Sequence, residues 1–447
     1  MYHEYTHGVV FAWGGYAQDI NTLGGFDESS ALNEGTADSM AVSETGHSEI
    51  GAFIGATEAT PAATLREMND PDATRSCKGN GTRATQFGLP GITGLDGEVH
   101  DDGEIWNGFY WEVFAGLAGS GFTGCGGNCH AAPEMMYKTI ELAGGTEPTF
   151  ANYWQTFKSA ATSLHPTQPS VANYVDCVAR RRGFDQCDRT VPLYAGEVKN
   201  QFVRLRYSPF QVALQLTGAA TFQICDTQGF QATIYANKGS PVTLTNIDPN
   251  TNNATITASA GSLTFAATCD APTSINIGSS GAGTYYLLID SPDALEGGNP
   301  GQDIFRFAAF SATNSTAGFA ARPTAAVPAS CTAPTPFLIT STAATVTPGQ
   351  STTLTAAGGS NTGITWSIAT NASGGSIVAS TGVYTAGSKP NVTDIVQATD
   401  SLGDSSTQAV TVGPAPAKGG CSSTDSSSAA LLAGMAMVLA ARRRRVS

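Results

Sequence analysis

Two histidines and a glutamate at the start of the chain have the spacing of a metal-binding helix. His3 and His7 are four residues apart, and Glu4 lies between them. On a helix, residues i and i+4 lie one turn apart on the same face, so these two imidazoles can bind one Zn²⁺. Glu4 would then act as the general base on a water that the metal activates. The alternative is a pair of surface histidines on an ordinary helix.

A second segment supplies the ligand that this motif lacks. A catalytic zinc site uses three protein ligands and keeps one position open. Glu34 and Asp38 are also four residues apart and therefore share a helix face. We expect Glu34 to be the third ligand and Asp38 to orient a ligand histidine through its free ring N–H. Taken alone, the same two carboxylates would indicate only a solvated helix face.

A third segment places His100 beside a long apolar helix. The apolar residues that follow it recur at helical spacing, and Asp101 or Asp102 is expected at the helix N-cap. His100 would then lie just before the helix, where its imidazole and the helix dipole stabilise a developing oxyanion. Asp96 or Glu98 is placed to hold its second ring nitrogen. The alternative is a loop histidine with one local hydrogen bond.

These three segments, in this order, resemble the gluzincin metallopeptidases, the group that includes thermolysin, and more closely the fungalysin family. The sequences HEYTHG, NEGTAD and GEVHDDGEIW carry the resemblance, which covers roughly residues 1–190. It implies that His3, His7 and Glu34 are the zinc ligands and that Glu4 is the general base.

The same resemblance gives Asp38 the role of a carboxylate that supports a ligand histidine. It gives His100 the role of stabilising the tetrahedral intermediate. Families of this kind place a β-rich lobe before the motif helix, where its edge strand lines one side of the substrate cleft. Residues 1–190 contain no such lobe. We therefore expect an upstream start or a remnant, with only half of a cleft in this chain.

The composition limits the partners of the protein. The chain has 447 residues, 13% of them charged, and a net charge of −14. This length allows about three domains. The acidic balance argues against nucleic acid, whose phosphates require clustered Lys and Arg. Protein or peptide substrates are the expected partners.

Nine cysteines indicate an oxidising compartment. Cysteines scattered through a Ser/Thr-rich chain are typical of secreted proteins with disulfides. Local spacing favours a Cys177–Cys187 pair, and a Cys225–Cys269 pair would join two strands of one β domain. The Cys-Gly-Gly-Asn-Cys segment at 125–129 predicts a small disulfide-closed loop, with a second metal site as the alternative.

Hydrophobic periodicity divides the chain into a helical part and two β-rich parts. Residues 1–190 read as helical, whereas short alternating runs over 195–313 predict a β-sandwich that resembles pre-peptidase C-terminal domains. A Pro/Ala/Thr-rich linker covers 314–335, and 336–413 predict a second sandwich that resembles bacterial Ig-like repeats. The expected fold class is multidomain: a mainly α-helical metallopeptidase lobe, two all-β sandwich domains and a short C-terminal hydrophobic tail.

Residues 414–447 have the order of a sorting signal. Cys421 follows two glycines, and a Ser-rich stretch, an apolar run at 429–441 and four arginines at 442–445 come after it. The run is short for a spanning helix, which needs about 20 residues, and the arginines fix its end in the cytoplasm. The pattern resembles the myxobacterial C-terminal sorting signal. That implies membrane contact through the tail, processing near Cys421, and a protein at the cell surface or released; the alternative is a permanent transmembrane anchor.

The sequence as a whole predicts a secreted zinc metalloendopeptidase. Zn²⁺ is the expected cofactor, and structural Ca²⁺ is left open. One alternative is a surface binding or adhesion protein whose β modules do the work and whose metal-binding lobe is vestigial. A second is a metal-dependent hydrolase that acts on something other than peptides.

Overall fold

The computed structural model describes residues 1–16, 28–50, 66–69, 75–78, 95, 97–203, 206–208, 210–246, 248, 253–277, 279, 281–292, 303–309, 317–323, 330–341 and 345–415. Cys421, the apolar run at 429–441 and Asp96 lie outside the described residues. Within the described ranges, no helix is both long and apolar enough to cross a membrane.

Helices occupy the N-terminal part of the chain. They are α1 (Tyr2–Ala12), α2 (Glu28–Thr45), α3 (Val99–Ser120), α4 (Ala131–Ala143), α5 (Phe150–Leu164) and α6 (Pro169–Arg181). Short 3₁₀ turns lie at Cys125–Gly127 and Phe184–Gln186. Two-residue strands pair as β1 (Glu49–Ile50) with β2 (Arg66–Glu67) and as β3 (Thr123–Gly124) with β4 (Cys129–His130). The helices share one apolar core, in which the ring of Trp106 packs against Tyr153 and Phe109.

Helices α2 and α3 approach each other closely through two glycines. A Cβ on Gly35 would lie 2.8 Å from the carbonyl oxygen of Gly103, and a Cβ on Gly103 would lie 3.0 Å from that of Ala31. A side chain at either position would therefore push the helices apart. Glu34 precedes Gly35, and His100 lies nearly one turn before Gly103 on α3. The contact thus brings Glu34 next to His100.

Helix α3 begins earlier than the sequence predicts. Its N-cap is Glu98, not Asp101 or Asp102, because Oε2 of Glu98 accepts hydrogen bonds from the amides of His100 (2.9 Å) and Asp101 (2.8 Å). Asp102 instead accepts a hydrogen bond from the amide of Gly97 at 2.9 Å. The prediction that His100 lies before the helix is therefore wrong: its imidazole leaves from the first helical turn.

The next strands form a β-sandwich of two sheets. They are β5 (Thr190–Leu193), β6 (Val198–Val203), β7 (Gln211–Leu216), β8 (Ala220–Asp226), β9 (Gln231–Lys238), β10 (Thr243–Thr245), β11 (Thr255–Thr257), β12 (Ser262–Ala266), β13 (Thr273–Ile277), β14 (Gly283–Asp290) and β15 (Asp303–Ala308). One sheet has the order β12-β9-β14-β7-β5 and the other β13-β8-β15-β6, while β10 and β11 form a separate hairpin. Apolar side chains from both sheets fill one core.

Part of the predicted linker at 314–335 packs on this sandwich. Phe319 is 6% exposed and belongs to the same core. The amide of Thr217 donates to the carbonyl of Gly318 at 2.8 Å, and the amide of Ala320 donates to the carbonyl of Gln215, also at 2.8 Å. These contacts extend the sandwich into the segment that its composition marks as a linker.

The C-terminal described strands form a second, smaller sandwich. They are β16 (Leu338–Ile339), β17 (Thr345–Val346), β18 (Ser351–Thr353), β19 (Ala356–Ala357), β20 (Thr365–Thr370), β21 (Ser376–Ile377), β22 (Val383–Thr385), β23 (Val392–Thr399) and β24 (Ser405–Val412). A four-stranded sheet of order β17-β24-β23-β20 faces a three-stranded sheet of order β18-β22-β21. Trp366 is 7% exposed in the core between them.

Disulfides join Cys77 to Cys187, Cys125 to Cys129, Cys177 to Cys331, and Cys225 to Cys269. The predictions of a disulfide-closed loop at 125–129 and of a Cys225–Cys269 pair are confirmed. The predicted Cys177–Cys187 pair is wrong. Rigid helix α6 carries Cys177, and a turn at Gly183, with a φ of 72°, redirects the chain so that Cys187 meets Cys77.

The second sandwich is fixed to the helical part by hydrogen bonds as well as by the Cys177–Cys331 disulfide. The side chain of Gln168 donates to the carbonyls of Phe337 (3.3 Å) and Ser405 (3.1 Å) and accepts from the amide of Phe337 at 2.9 Å. Oδ1 of Asp404 accepts from the amide of Ser170 at 2.9 Å, in the first turn of α6. No side chain at the N-cap position itself caps this helix. A residue of the β module therefore caps it.

Replacing Asp404 with Ala is expected to lower the free energy of unfolding by about 1–2 kcal/mol, the usual cost of losing a helix cap. Denaturant unfolding of the full chain measures the change. Asp270→Ala, at an exposed position, is the matched control and should leave the free energy of unfolding unchanged. Equal stability of the Asp404 variant and the parent would contradict the capping role.

Candidate functional site

The imidazole rings of His3 and His7 lie next to each other, one turn apart on α1. Nδ1 of His3 lies 2.8 Å from Oδ1 of Asp38, and Nδ1 of His7 lies 3.1 Å from Oδ1 of Asn33. Both partners are oxygen acceptors, so both Nδ1 atoms carry the proton. In the neutral imidazoles the lone pairs are then on the Nε2 atoms, which face each other at 3.1 Å.

Glu34 approaches the same point from helix α2. Its Oε2 lies 3.3 Å from Nε2 of His3, and its Oε1 lies 3.7 Å from Nε2 of His7. Oε2 is buried and receives no hydrogen bond of good geometry from the described residues. Ligand atoms of the three residues all lie within 4.8 Å of one another. The predicted ligand set therefore converges.

The converging atoms fit a tetrahedral metal ion. Zinc–nitrogen bonds of about 2.0–2.1 Å would hold two ligand nitrogens roughly 3.3 Å apart. The 3.1 Å between the two Nε2 atoms is close to that value. An orphaned, buried carboxylate oxygen on Glu34 is the kind of atom that a cation would satisfy. The side chains present thus fit a divalent metal, although nothing in their geometry identifies zinc among such metals.

Asp38 is a buried carboxylate that supports this site through hydrogen bonds. It is 1% exposed and accepts two hydrogen bonds from Arg66, at 2.6 and 2.7 Å. Nδ2 of Asn107 donates a further hydrogen bond to it at 2.8 Å. Burial would raise the pKa of Asp38, but the hydrogen bonds from His3 and Arg66 outweigh it and lower the pKa. Asp38 is therefore an ionised carboxylate that holds His3 in one orientation.

The same contacts change the proton affinity of His3. Burial would lower its pKa, but the hydrogen bond to Asp38 and the negative charges of the Asp38 and Glu34 carboxylates outweigh burial and raise the pKa to about 9. A cation at Nε2 would take the place of the proton there, since metal binding requires the neutral ring.

His100 reaches the site from the first turn of α3. Its Nε2 lies 3.4 Å from Oε2 of Glu34, and its Nδ1 lies 2.9 Å from Oε1 of Glu98. The hydrogen bond to Glu98 is the largest influence and raises the pKa of His100, against an opposing effect of burial. A protonated His100 would hold a donor N–H beside the ligands.

Glu4 differs from the other predicted site residues because its side chain is exposed. It lies on α1 between the two ligand histidines, whose own side chains are half-buried. The helix packs on the rest of the protein through Thr6 and Val10, the residues buried in it. Glu4 is therefore open to solvent on the helix that carries His3 and His7.

Sequence reasoning missed three residues that support the site. Asn33 and Asn107 lie on the same helices as predicted site residues, and Asn107 is seven residues after His100, on the same face of α3. That periodicity was an available signal. Arg66 lies in the two-residue strand β2, between stretches outside the described residues. No local pattern marks it.

Replacing Asn33 with Leu, which has a similar shape, is expected to weaken metal binding about 10–100-fold, because His7 loses the acceptor that fixes its tautomer. Competition against a chelator of known affinity measures the change. Asn33→Asp keeps an acceptor oxygen and should restore most of the affinity. Parent-like affinity in the Leu variant would show that Asn33 does not position His7.

A second group with metal-ligand spacing lies at Cys125, Cys129 and Glu134. Both sulfur atoms are in the Cys125–Cys129 disulfide, and Oε2 of Glu134 accepts a hydrogen bond from the amide of Cys125 at 2.8 Å. A disulfide sulfur is not the thiolate that binds zinc. The structure therefore favours a disulfide-closed loop over a second metal site here.

Comparison with known proteins leaves the family open. No protein-family model matches the chain, and no curated protein matches it. One similar solved structure is the C-terminal 282-residue fragment of intimin in complex with the intimin-binding domain of the translocated intimin receptor, with 13% sequence identity and a TM-score of 0.16. The match covers 45% of this chain and 63% of that one. A TM-score this low supports no conclusion about fold or function.

Proposed function

We propose that this protein is a zinc-dependent endopeptidase whose site is formed by His3, His7 and Glu34. The observation that carries the proposal is the convergence of two lone-pair Nε2 atoms, 3.1 Å apart, on a buried carboxylate oxygen without a good hydrogen bond. The choice of peptides as substrates rests on the resemblance of the three motifs to gluzincins. The chemistry that bound zinc supplies is Lewis-acid activation of a water and of a carbonyl.

The side chains of this chain divide the remaining work. Glu4, exposed beside the ligands, accepts the proton of the attacking water and returns it to the leaving amine. His100, held by Glu98 at 2.9 Å, donates a hydrogen bond to the oxygen on which negative charge develops. Asp38 keeps His3 in the tautomer that presents Nε2 to the metal.

We also propose that the protein works outside the cell or at its surface. Four disulfides, one of which joins the helical part to the segment before the second sandwich, suit an oxidising compartment. The tail pattern around Cys421 gives the proposed route. Mass spectrometry of the released protein tests it: peptides from 429–447 on the mature form would show a permanent anchor instead.

Metal-dependent hydrolysis by the full chain tests the proposed activity. The protein is stripped with a chelator, reloaded with Zn²⁺ and incubated with casein and with a quenched-peptide library. The expected result is one metal per chain and hydrolysis that disappears without metal. Metal binding without hydrolysis of any substrate, after the upstream sequence is restored, would favour a surface binding protein with a vestigial site. Hydrolysis of esters but not peptides would favour a different metal-dependent hydrolase.

A further inference from the structure

A cavity of about 400 Å³ opens into the first sandwich between the two sheets. It lies between the edge strands β12 and β13, which belong to different sheets. Its floor is formed by apolar core side chains: Phe222, Ile234, Ala236 and Leu287. This volume is within the range of about 300–1,000 Å³ that is usual for ligand cavities.

One end of the cavity is closed. The chain crosses from β12 to β13 near Cys269, which is bonded to Cys225 on β8. Phe265 on β12 is 6% exposed and packs edge-to-face against Phe305, with ring centroids 6.2 Å apart. On the β12 side the lining residues are 260–263, at the end of that strand farther from Cys269, and on β13 they are 274–277, all of that strand except its first residue. The cavity therefore opens away from the disulfide.

The cavity follows the edge of β13 rather than one of its faces. Ser274, Ile275, Asn276 and Ile277 all line it, although alternate residues of a strand point to opposite faces. On its other side β13 pairs with β8. Among the described residues, no strand pairs with its cavity side. As far as the described residues show, the backbone N–H and C=O groups along this edge have no strand partner.

Neither edge strand has the features that usually prevent pairing. Exposed edges are commonly protected by lysines, prolines or bulges. The sequences of β12 (SLTFA) and β13 (TSINI) contain no charged residue and no proline, and both ladders run without a register shift. Leu263 at the mouth of the cavity is 43% exposed. An unprotected edge beside an apolar cavity has the properties of a β-augmentation site.

We propose that this cleft binds an extended, uncharged peptide segment, which adds to the edge of β13 and places alternate apolar side chains in the cavity. The strand edge accounts for the extended backbone, because a partner without peptide groups would leave those N–H and C=O groups unpaired. The cavity lining contains no charged residue, so a charged inward side chain would be buried without a partner. The site is independent of the proposed metal centre.

A labelled octapeptide of alternating Val and Thr, with both ends blocked, is the probe for the full-length protein. Fluorescence anisotropy measures its dissociation constant. A control peptide with Pro in place of Thr keeps the apolar residues but cannot pair as a strand. The Val-Thr peptide is expected to bind at least about tenfold more tightly than the Pro peptide. Equal binding of the two, or binding of palmitate without binding of the Val-Thr peptide, would overturn the proposal.

Leu263→Lys locates the site on the protein. A lysine at the mouth should weaken binding of the Val-Thr peptide at least about tenfold, because its charge would meet apolar side chains. Leu402→Lys is the matched control, since Leu402 is 47% exposed on the second sandwich. Circular dichroism verifies that both variants are folded. Unchanged binding by a folded Leu263 variant would place the peptide elsewhere and overturn the assignment.

Discussion

Glu4→Gln is expected to lower peptide hydrolysis by about 10²–10⁴-fold, which is the usual contribution of a general base. The bound metal should remain, because the predicted ligands His3, His7 and Glu34 are unchanged. Glutamine keeps the shape of the side chain but cannot accept the proton of the attacking water. We therefore expect the Glu4→Gln variant to bind metal and substrate, and its loss of activity to appear in kcat.

The measurement needs metal content and kcat from the same preparation. Glu44→Gln is the matched control, because Glu44 is also an exposed glutamate on a helix, and it should retain parent activity. If Glu4→Gln retains activity within a factor of a few, another group takes the proton. If it loses its metal as well, Glu4 acts on the ligand cluster rather than on water.

Local periodicity was enough to predict the parts of the site that lie on single helices. His3 and His7 share a face of α1 because 3.6 residues complete a turn, and their Nε2 atoms meet at 3.1 Å. The same rule placed Glu34 and Asp38 on one face of α2. Their convergence with the histidines depended on combining two motifs, each of which alone also fits a solvated helix face.

The supporting residues show where this reasoning ends. Arg66 binds Asp38 through two hydrogen bonds, but it comes from a different segment of the chain. The tertiary fold places Arg66 beside Asp38, and no periodicity in the sequence predicts that contact. The close contact of Gly35 with Gly103 is similar: the sequence shows two glycines in helices, where they cost stability, and only the packed structure shows why they are there.

The wrong predictions of the α3 cap and of one disulfide both relied on local sequence alone. An aspartate was expected to cap α3, since Asp is a common N-cap residue. Glu98 has a longer side chain, and its Oε2 reaches back to two amides while its Oε1 contacts His100. The Cys177–Cys187 error likewise came from distance along the chain, which ignores the direction that a rigid helix imposes on Cys177.

Core and surface patterns in the β modules were easier to predict. The alternating runs at 212–216 and 285–289 lie within β7 and β14, which pair with each other. The period-two alternation is only partial in the structure, because Leu287, Leu288 and Ile289 are all buried. Tyr207 and Val242 pack with Leu288 in a separate apolar cluster, so this strand is covered on both faces. What alternation does not specify is how the sandwich closes, and the segment around Phe319, predicted as linker, completes it.

Glu34→Ala is expected to abolish stable metal binding. The two histidines alone leave the site with two of the three protein ligands that a catalytic zinc ion uses. Metal analysis after dialysis should fall from one ion per chain in the parent to a small fraction in the variant. Activity should fall with it, because the water is no longer activated.

His100→Ala is the control that separates metal binding from catalysis. Nε2 of His100 lies 3.4 Å from Oε2 of Glu34, close to the 3.3 Å that separates the same oxygen from Nε2 of His3. If His100 acts on the developing charge, as we propose, its variant keeps one metal per chain and loses about 10²–10³-fold in kcat. Full metal occupancy in Glu34→Ala would exclude Glu34 as a ligand. Loss of metal in His100→Ala would contradict the catalytic role of His100 and show that it helps to hold the metal, next to Glu34.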